Sequence, residues 1–130
     1  MIKGQCFCGS VGYEADCEPG PIVHCHCQTC RKIHGSAFSS VMPVQKEAFA
    51  WKGDKEARAS VESSPGKHRS FCSRCGSHVA AEREDADVML LRMGCVDTEV
   101  EAKALGHIWR SDCASWYDPK TILPEKPVGF

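Results

Sequence analysis

Seven of the chain's ten cysteines fall into three tight clusters: Cys6-Phe7-Cys8, Cys25-His26-Cys27-Gln28-Thr29-Cys30 and Cys72-Ser73-Arg74-Cys75. Cysteines one or two residues apart rarely bridge each other, because the disulfide geometry is strained. The N-terminus, Met1 to Cys6, carries no apolar signal region. A reducing compartment, the cytoplasm by default, is therefore the expected setting, and the thiols read as metal ligands rather than disulfides. A structural zinc site takes four protein ligands, whereas a catalytic one keeps three and leaves a position open. The clusters accordingly divide into a closed set, Cys6, Cys8, Cys72 and Cys75, and an open set, Cys25, Cys27 and Cys30. That division points to an enzyme.

At 130 residues the chain is sized for one domain, expected over 1–130, with a modest core. Each structural zinc site would add on the order of 10 kcal/mol to folding. The formal net charge of −1 is not the basic footprint of a nucleic-acid binder, and no run approaches the roughly 20 apolar residues of a membrane span. The densest basic set, Lys67-His68-Arg69 with Arg74, is expected to surround the closed thiolate site. The oligomeric state is not legible.

Short segments bounded by Gly, Pro and Asp are the pattern of a β-rich domain. Strands are expected over 9–15, 36–42, 48–51, 57–63, 67–71, 77–82, 88–93 and 106–110. Ser64-Pro65-Gly66-Lys67 suits a hairpin turn. Helical periodicity alone would also fit Val88-Met89-Leu90-Leu91, but the run is short and flanked by Asp87 and Gly94, which favours a strand. One helical turn is expected from Thr29 to His34, and a poorly structured tail containing Pro119, Pro124 and Pro127. The fold class is mainly β and mainly antiparallel.

Cys72-x-x-Cys75-Gly76 is a tight knuckle, and Cys6-x-Cys8-Gly9 a tighter one. Two such pairs make a tetrahedral four-sulfur set for which zinc is the leading metal. The open triplet lies at a strand-to-helix transition, where three sulfurs can converge on one face of a tetrahedron. It also admits a second structural zinc, its fourth ligand drawn from His24, His26, His34, His107, Cys95 or Cys113. His26, between two ligands, is expected to point its ring away from the metal. Three anionic ligands make zinc a weak Lewis acid, so capturing a soft substrate thiolate is more natural there than activating water. Zinc would also lower that thiol's pKa. Partial occupancy is expected of a labile site of this kind.

The chain resembles the glutathione-dependent formaldehyde-activating enzyme family, also called the CENP-V/GFA domain. The resemblance rests on Gly4-x-Cys6-x-Cys8-Gly9-x-Val11-x-Tyr13, on Cys25-His26-Cys27-x-x-Cys30-Arg31-Lys32 and on Gly35-Ser36-Ala37-Phe38. It continues through Arg69-x-Phe71-Cys72-x-x-Cys75-Gly76-Ser77, Gly94-Cys95-Val96-Asp97 and His107-Ile108-Trp109 followed by Trp116. It implies an Mss4-like zinc-binding β fold with short helical turns. It implies two Zn²⁺ sites, one structural on Cys6, Cys8, Cys72 and Cys75 and one catalytic on Cys25, Cys27 and Cys30. The implied activity is carbon–sulfur lyase chemistry, joining a glutathione-like thiol to an aldehyde such as formaldehyde to give an S-hydroxymethyl adduct. Cys95 departs from the pattern, where Ser or Thr is commoner. The competing reading is a non-catalytic, zinc-stabilised protein-interaction module.

Arg31 and Lys32 are candidates to receive glutathione carboxylates, with a solvated helix face as the alternative. His107 and Trp109 either line the pocket or sit in the core, and Trp51 and Phe38 read as core. Cys17 reads as an exposed loop residue, Cys95 and Cys113 as small buried hydrophobes.

Overall fold

A computed structural model describes residues 1–128. The chain runs through β1 (Ile2–Gln5), β2 (Val11–Ala15), β3 (Ile22–Cys25), α1 (Gln28–His34), β4 (Ser39–Gln45), β5 (Phe49–Gly53), β6 (Arg58–Ser64), β7 (Lys67–Cys72), β8 (His78–Arg83), β9 (Val88–Arg92) and β10 (Ala104–Ile108). The mainly β fold expected from the punctuation is present. Two sheets form, a three-stranded one in the order β1-β2-β5 and a seven-stranded one in the order β10-β3-β4-β9-β8-β7-β6. Every pairing is antiparallel except β10 on β3. Among the described residues no helix is long and apolar enough to cross a membrane.

Successive side chains of a strand point to opposite faces, and that period organises the molecule. Met42 and Val44 on β4, and Met89 and Leu91 on β9, join Ile2, Val11, Tyr13 and Ala15 of the small sheet in one apolar core. Each such aliphatic side chain, once buried, contributes roughly 1.5–3 kcal/mol. The alternate positions, Val41 and Pro43 on β4 with Leu90 and Arg92 on β9, line a cavity on the sheet's other face. Pro43 is tolerated because the β3–β4 ladder ends at Val23↔Val41, leaving β9 as its only partner strand.

Several boundaries differ from the sequence expectation. The strand expected from residue 36 begins at Ser39, because Gly35 closes α1 in the left-handed region (φ 57°) and the Ser36 hydroxyl donates to the Phe38 carbonyl. The strand expected over 106–110 lies at Ala104–Ile108, ended by Trp109 at φ 57°. The hairpin at residues 64–67 forms, with Gly66 at φ 75°, a conformation that costs glycine little. Strand β1 had no counterpart among the expected strands, and β3 is the unbounded strand expected to lead into the helix at the triplet.

Candidate metal centre

The closed cluster forms where the N-terminal strands meet the β7–β8 turn. The sulfurs of Cys6, Cys8, Cys72 and Cys75 all lie within 4.8 Å of one another, with Cys8 Sγ 3.7 Å from both Cys6 Sγ and Cys72 Sγ. Surrounding donors suit thiolates. The Val11 amide donates to Cys6 Sγ (3.3 Å), and the Ser77 hydroxyl lies 3.3 Å from Cys75 Sγ. Ser77 holds the Cys75 thiol down at about 5, and Ser10 lowers Cys8.

The open cluster is built across the end of β3 and the start of α1. Cys25 is the last residue of β3, Cys27 caps the helix with its sulfur accepting from the Cys30 amide (3.3 Å), and Cys30 lies in the first turn. The three sulfurs lie within 4.8 Å of one another, and among the described residues no fourth His, Cys, Asp or Glu joins them at that spacing. The hydrogen bond from Cys25, followed by the Arg69 guanidinium, pulls the Cys30 thiol well below its ordinary value. The same bond to Cys30, with burial, pushes Cys25 up. Both clusters could hold a metal ion: four or three soft sulfurs converge in each, with amide, hydroxyl or guanidinium donors beside them.

None of the candidate fourth ligands joins the triad at ligand spacing. His26 is fully buried with Nε2 2.6 Å from His107 Nδ1, and His24 Nδ1 lies 2.8 Å from the Ser40 hydroxyl. His34 packs edge-on against His78. Cys95 Sγ donates to the His78 carbonyl, and Cys113 Sγ to the carbonyls of Ala114 and Tyr117. The His26 ring thus points where its squeezed position predicts, into an aromatic cluster with Phe38, His107 and Tyr117.

The triad opens into a cavity of about 570 Å³. Val23, Val41, Leu90 and Ile108 supply apolar wall, Trp109 stands at the rim, and Lys67, Arg69, Arg83 and Arg92 supply charge. Ile108 reaches the cavity because it pairs with Cys25, whereas His107 pairs with His24 and turns to the opposite face. Of the two candidate pocket residues, Trp109 lines the cavity and His107 does not.

The basic set requires a correction. Lys67 and Arg69 do not surround the closed site: they share one face of β7 and line the open cavity, with Arg69 Nη1 3.6 Å from Cys30 Sγ. His68, on the other face, meets Glu62 and Glu84. Arg74 alone flanks the closed set, through Ser10 and Asp54. Arg31 and Lys32 also lie apart from the triad cavity, beside a separate shallow groove with Gln28 and Trp116. Cys17 is half-buried against the core rather than exposed, and Cys95 and Cys113 are half-buried. Arg92 and Arg83 line the same cavity and belong to none of the sequence motifs. The available signal was an arginine directly following the apolar run Val88–Leu91.

The profile of the glutathione-dependent formaldehyde-activating enzyme family matches residues 1–112. An uncharacterized lyase of Schizosaccharomyces pombe is 31% identical over 75 residues, 58% of this chain and 53% of the relative. The match thus spans about half the length of that curated protein. A crystal structure of a Rhodobacter sphaeroides protein superposes with a TM-score of 0.66 at 16% identity, covering 81% of this chain and 98% of that one, a likeness of fold alone. The chain belongs to the glutathione-dependent formaldehyde-activating enzyme family.

Proposed function

We propose that this chain is a zinc-dependent carbon–sulfur lyase that joins a low-molecular-weight, glutathione-like thiol to an aldehyde such as formaldehyde. The observation that carries the reading is the incomplete triad: three sulfurs at ligand spacing, no fourth described side chain beside them, and a cavity where the fourth would stand. The family match and the lyase name of the fission-yeast relative support it. Cys6, Cys8, Cys72 and Cys75 would hold a structural zinc that staples the N-terminal strands to the β7–β8 turn.

Cys25, Cys27 and Cys30 would hold a zinc ion, which would supply an open coordination position and lower the pKa of an entering thiol. The chain's own residues prepare that position. The Cys30 amide donates to Cys27 Sγ and Arg69 donates to Cys30 Sγ, which orients both sulfurs and favours their anionic form. Val23, Val41, Leu90 and Ile108 give the cavity an apolar wall beside the sulfurs. In the reaction a carbon–sulfur bond forms, the carbonyl π bond breaks, and the thiol proton ends on the former aldehyde oxygen, so no oxidant is required.

Replacing Cys27 by Ser should abolish catalysed exchange between glutathione and ¹³C-formaldehyde, followed by NMR above the uncatalysed rate, while circular dichroism stays native. Full exchange activity in that variant would overturn the reading. The competing module reading leaves a 570 Å³ cavity with a cationic wall without a use.

A further inference from the structure

Arg69 and Arg92 are 2% and 5% exposed, and charges so deeply buried are almost always paired. Here they are not. Among the described residues neither arginine, nor the half-buried Lys67 beside them, has a carboxylate within ion-pair distance. Among the described residues Arg69 reaches Ser63 and Cys30, and Arg92 reaches Ser39 and leaves Nη2 unpartnered. All three line the triad cavity. Arg83, opposite Lys67 on β8, is neutralised by Asp85. Asp112, the cavity's one acidic residue, follows Trp109 by three residues on the rim beyond β10.

The charges can be matched in turn. Three thiolates around a divalent ion carry one net negative charge, which answers one cation. A substrate thiolate answers a second. For the third, no carboxylate of the described residues stands within ion-pair distance, Asp112 on the rim included. Lys67 lies two residues before Arg69 on the same strand face, about 7 Å along it at ~3.3 Å per residue, and Arg69 marks the sulfur end of the cavity.

We propose that Lys67 is a specificity-determining residue that receives a carboxylate of the thiol substrate, so that the cavity selects acidic thiols over neutral ones. The inference rests on the lyase reading and assigns to the β7 wall the task expected of Arg31 and Lys32. A charged partner fixed at one end of an elongated ligand orients its sulfur toward the triad as well as adding affinity.

The test is calorimetric titration of the zinc-loaded protein with glutathione and with glutathione diethyl ester, in wild type, Lys67→Met and Lys67→Arg. Wild type should bind glutathione at least about tenfold more tightly than the ester, a preference worth ~1.4 kcal/mol. K67M should lose that preference by weakening glutathione while leaving the ester unchanged, and K67R should restore most of it. Equal affinities in wild type, or an undiminished preference in K67M, would overturn the assignment of Lys67 and leave the lyase reading standing. Failure of both ligands to bind wild type would overturn the lyase reading, and this inference with it.

Discussion

Arg69 Nη1 lies 3.6 Å from Cys30 Sγ, a contact between the middle of β7 and the first turn of α1 across 39 residues of sequence. The guanidinium and thiolate are both buried, so the bond is charge-assisted and little screened. Replacing Arg69 by Met should weaken metal binding at the triad by roughly 10–100-fold, the usual effect of losing a group that orients a ligand. Competition against a chromophoric chelator should resolve two affinities, the tighter four-sulfur one staying unchanged.

The two sites should respond differently to ligand loss. A structural zinc contributes on the order of 10 kcal/mol, comparable with the whole stability of a small domain. Cys72→Ser should therefore abolish cooperative thermal unfolding followed by circular dichroism. Cys27→Ser removes one of the three sulfurs at the cavity and should leave a cooperative transition. A folded C72S protein would show that Cys6, Cys8, Cys72 and Cys75 do not hold the fold.

His34 carries a pH signature. Burial first, then Arg92, His78 and Arg69, hold its pKa down at about 3 against 6.5. The folded state therefore resists a proton that the unfolded state accepts, so the contribution is fully present above pH 6.5 and lost as pH falls from there toward 3. At pH 5 the loss is about 2 kcal/mol, from 1.36 kcal/mol per pH unit. His34→Gln should flatten the fall in stability between pH 7 and 5, measured by urea unfolding. Parallel slopes in variant and wild type would contradict the assignment. Thiolate protonation affects both proteins and cancels in the comparison.

Trp109 holds a left-handed backbone (φ 57°, ψ 38°) while its indole, 60% exposed, stands at the cavity rim. A bulky residue there costs on the order of 1–3 kcal/mol of strain, relieved by glycine and not by alanine. Trp109→Gly should be more stable than Trp109→Ala by about 1 kcal/mol, after the entropy cost of glycine. Both should weaken glutathione binding equally, by severalfold. Equal stabilities would show that the backbone carries no strain.

The sequence exposed the sulfurs and concealed their surroundings. Ligand spacing within a cluster is a local property, so the triplet and the two pairs could be read before any fold was known, while joining the pairs across 64 residues rested on the four ligands a closed site needs; alternation located most strands. β1 and the bounds of β3 escaped because four residues are too few to establish a period. The cavity wall escaped for another reason. Lys67, Arg69 and Arg92 meet the triad only through the pairing order β4-β9-β8-β7, which no local pattern encodes. Arg31 and Lys32, adjacent to Cys30 in sequence, fell beside another groove because α1 turns them away from the cavity. Proximity along the chain was misleading there, and strand register decided which cations face the sulfurs.

On the lyase reading, a substrate thiol enters the coordination sphere of the metal that Cys25, Cys27 and Cys30 would hold. Protein carrying cobalt at that triad, titrated with glutathione, tests it directly through the sulfur-to-cobalt charge-transfer band. A saturable rise in that band is expected as a fourth sulfur joins, absent in Cys27→Ser. A spectrum unchanged at saturating thiol would contradict it.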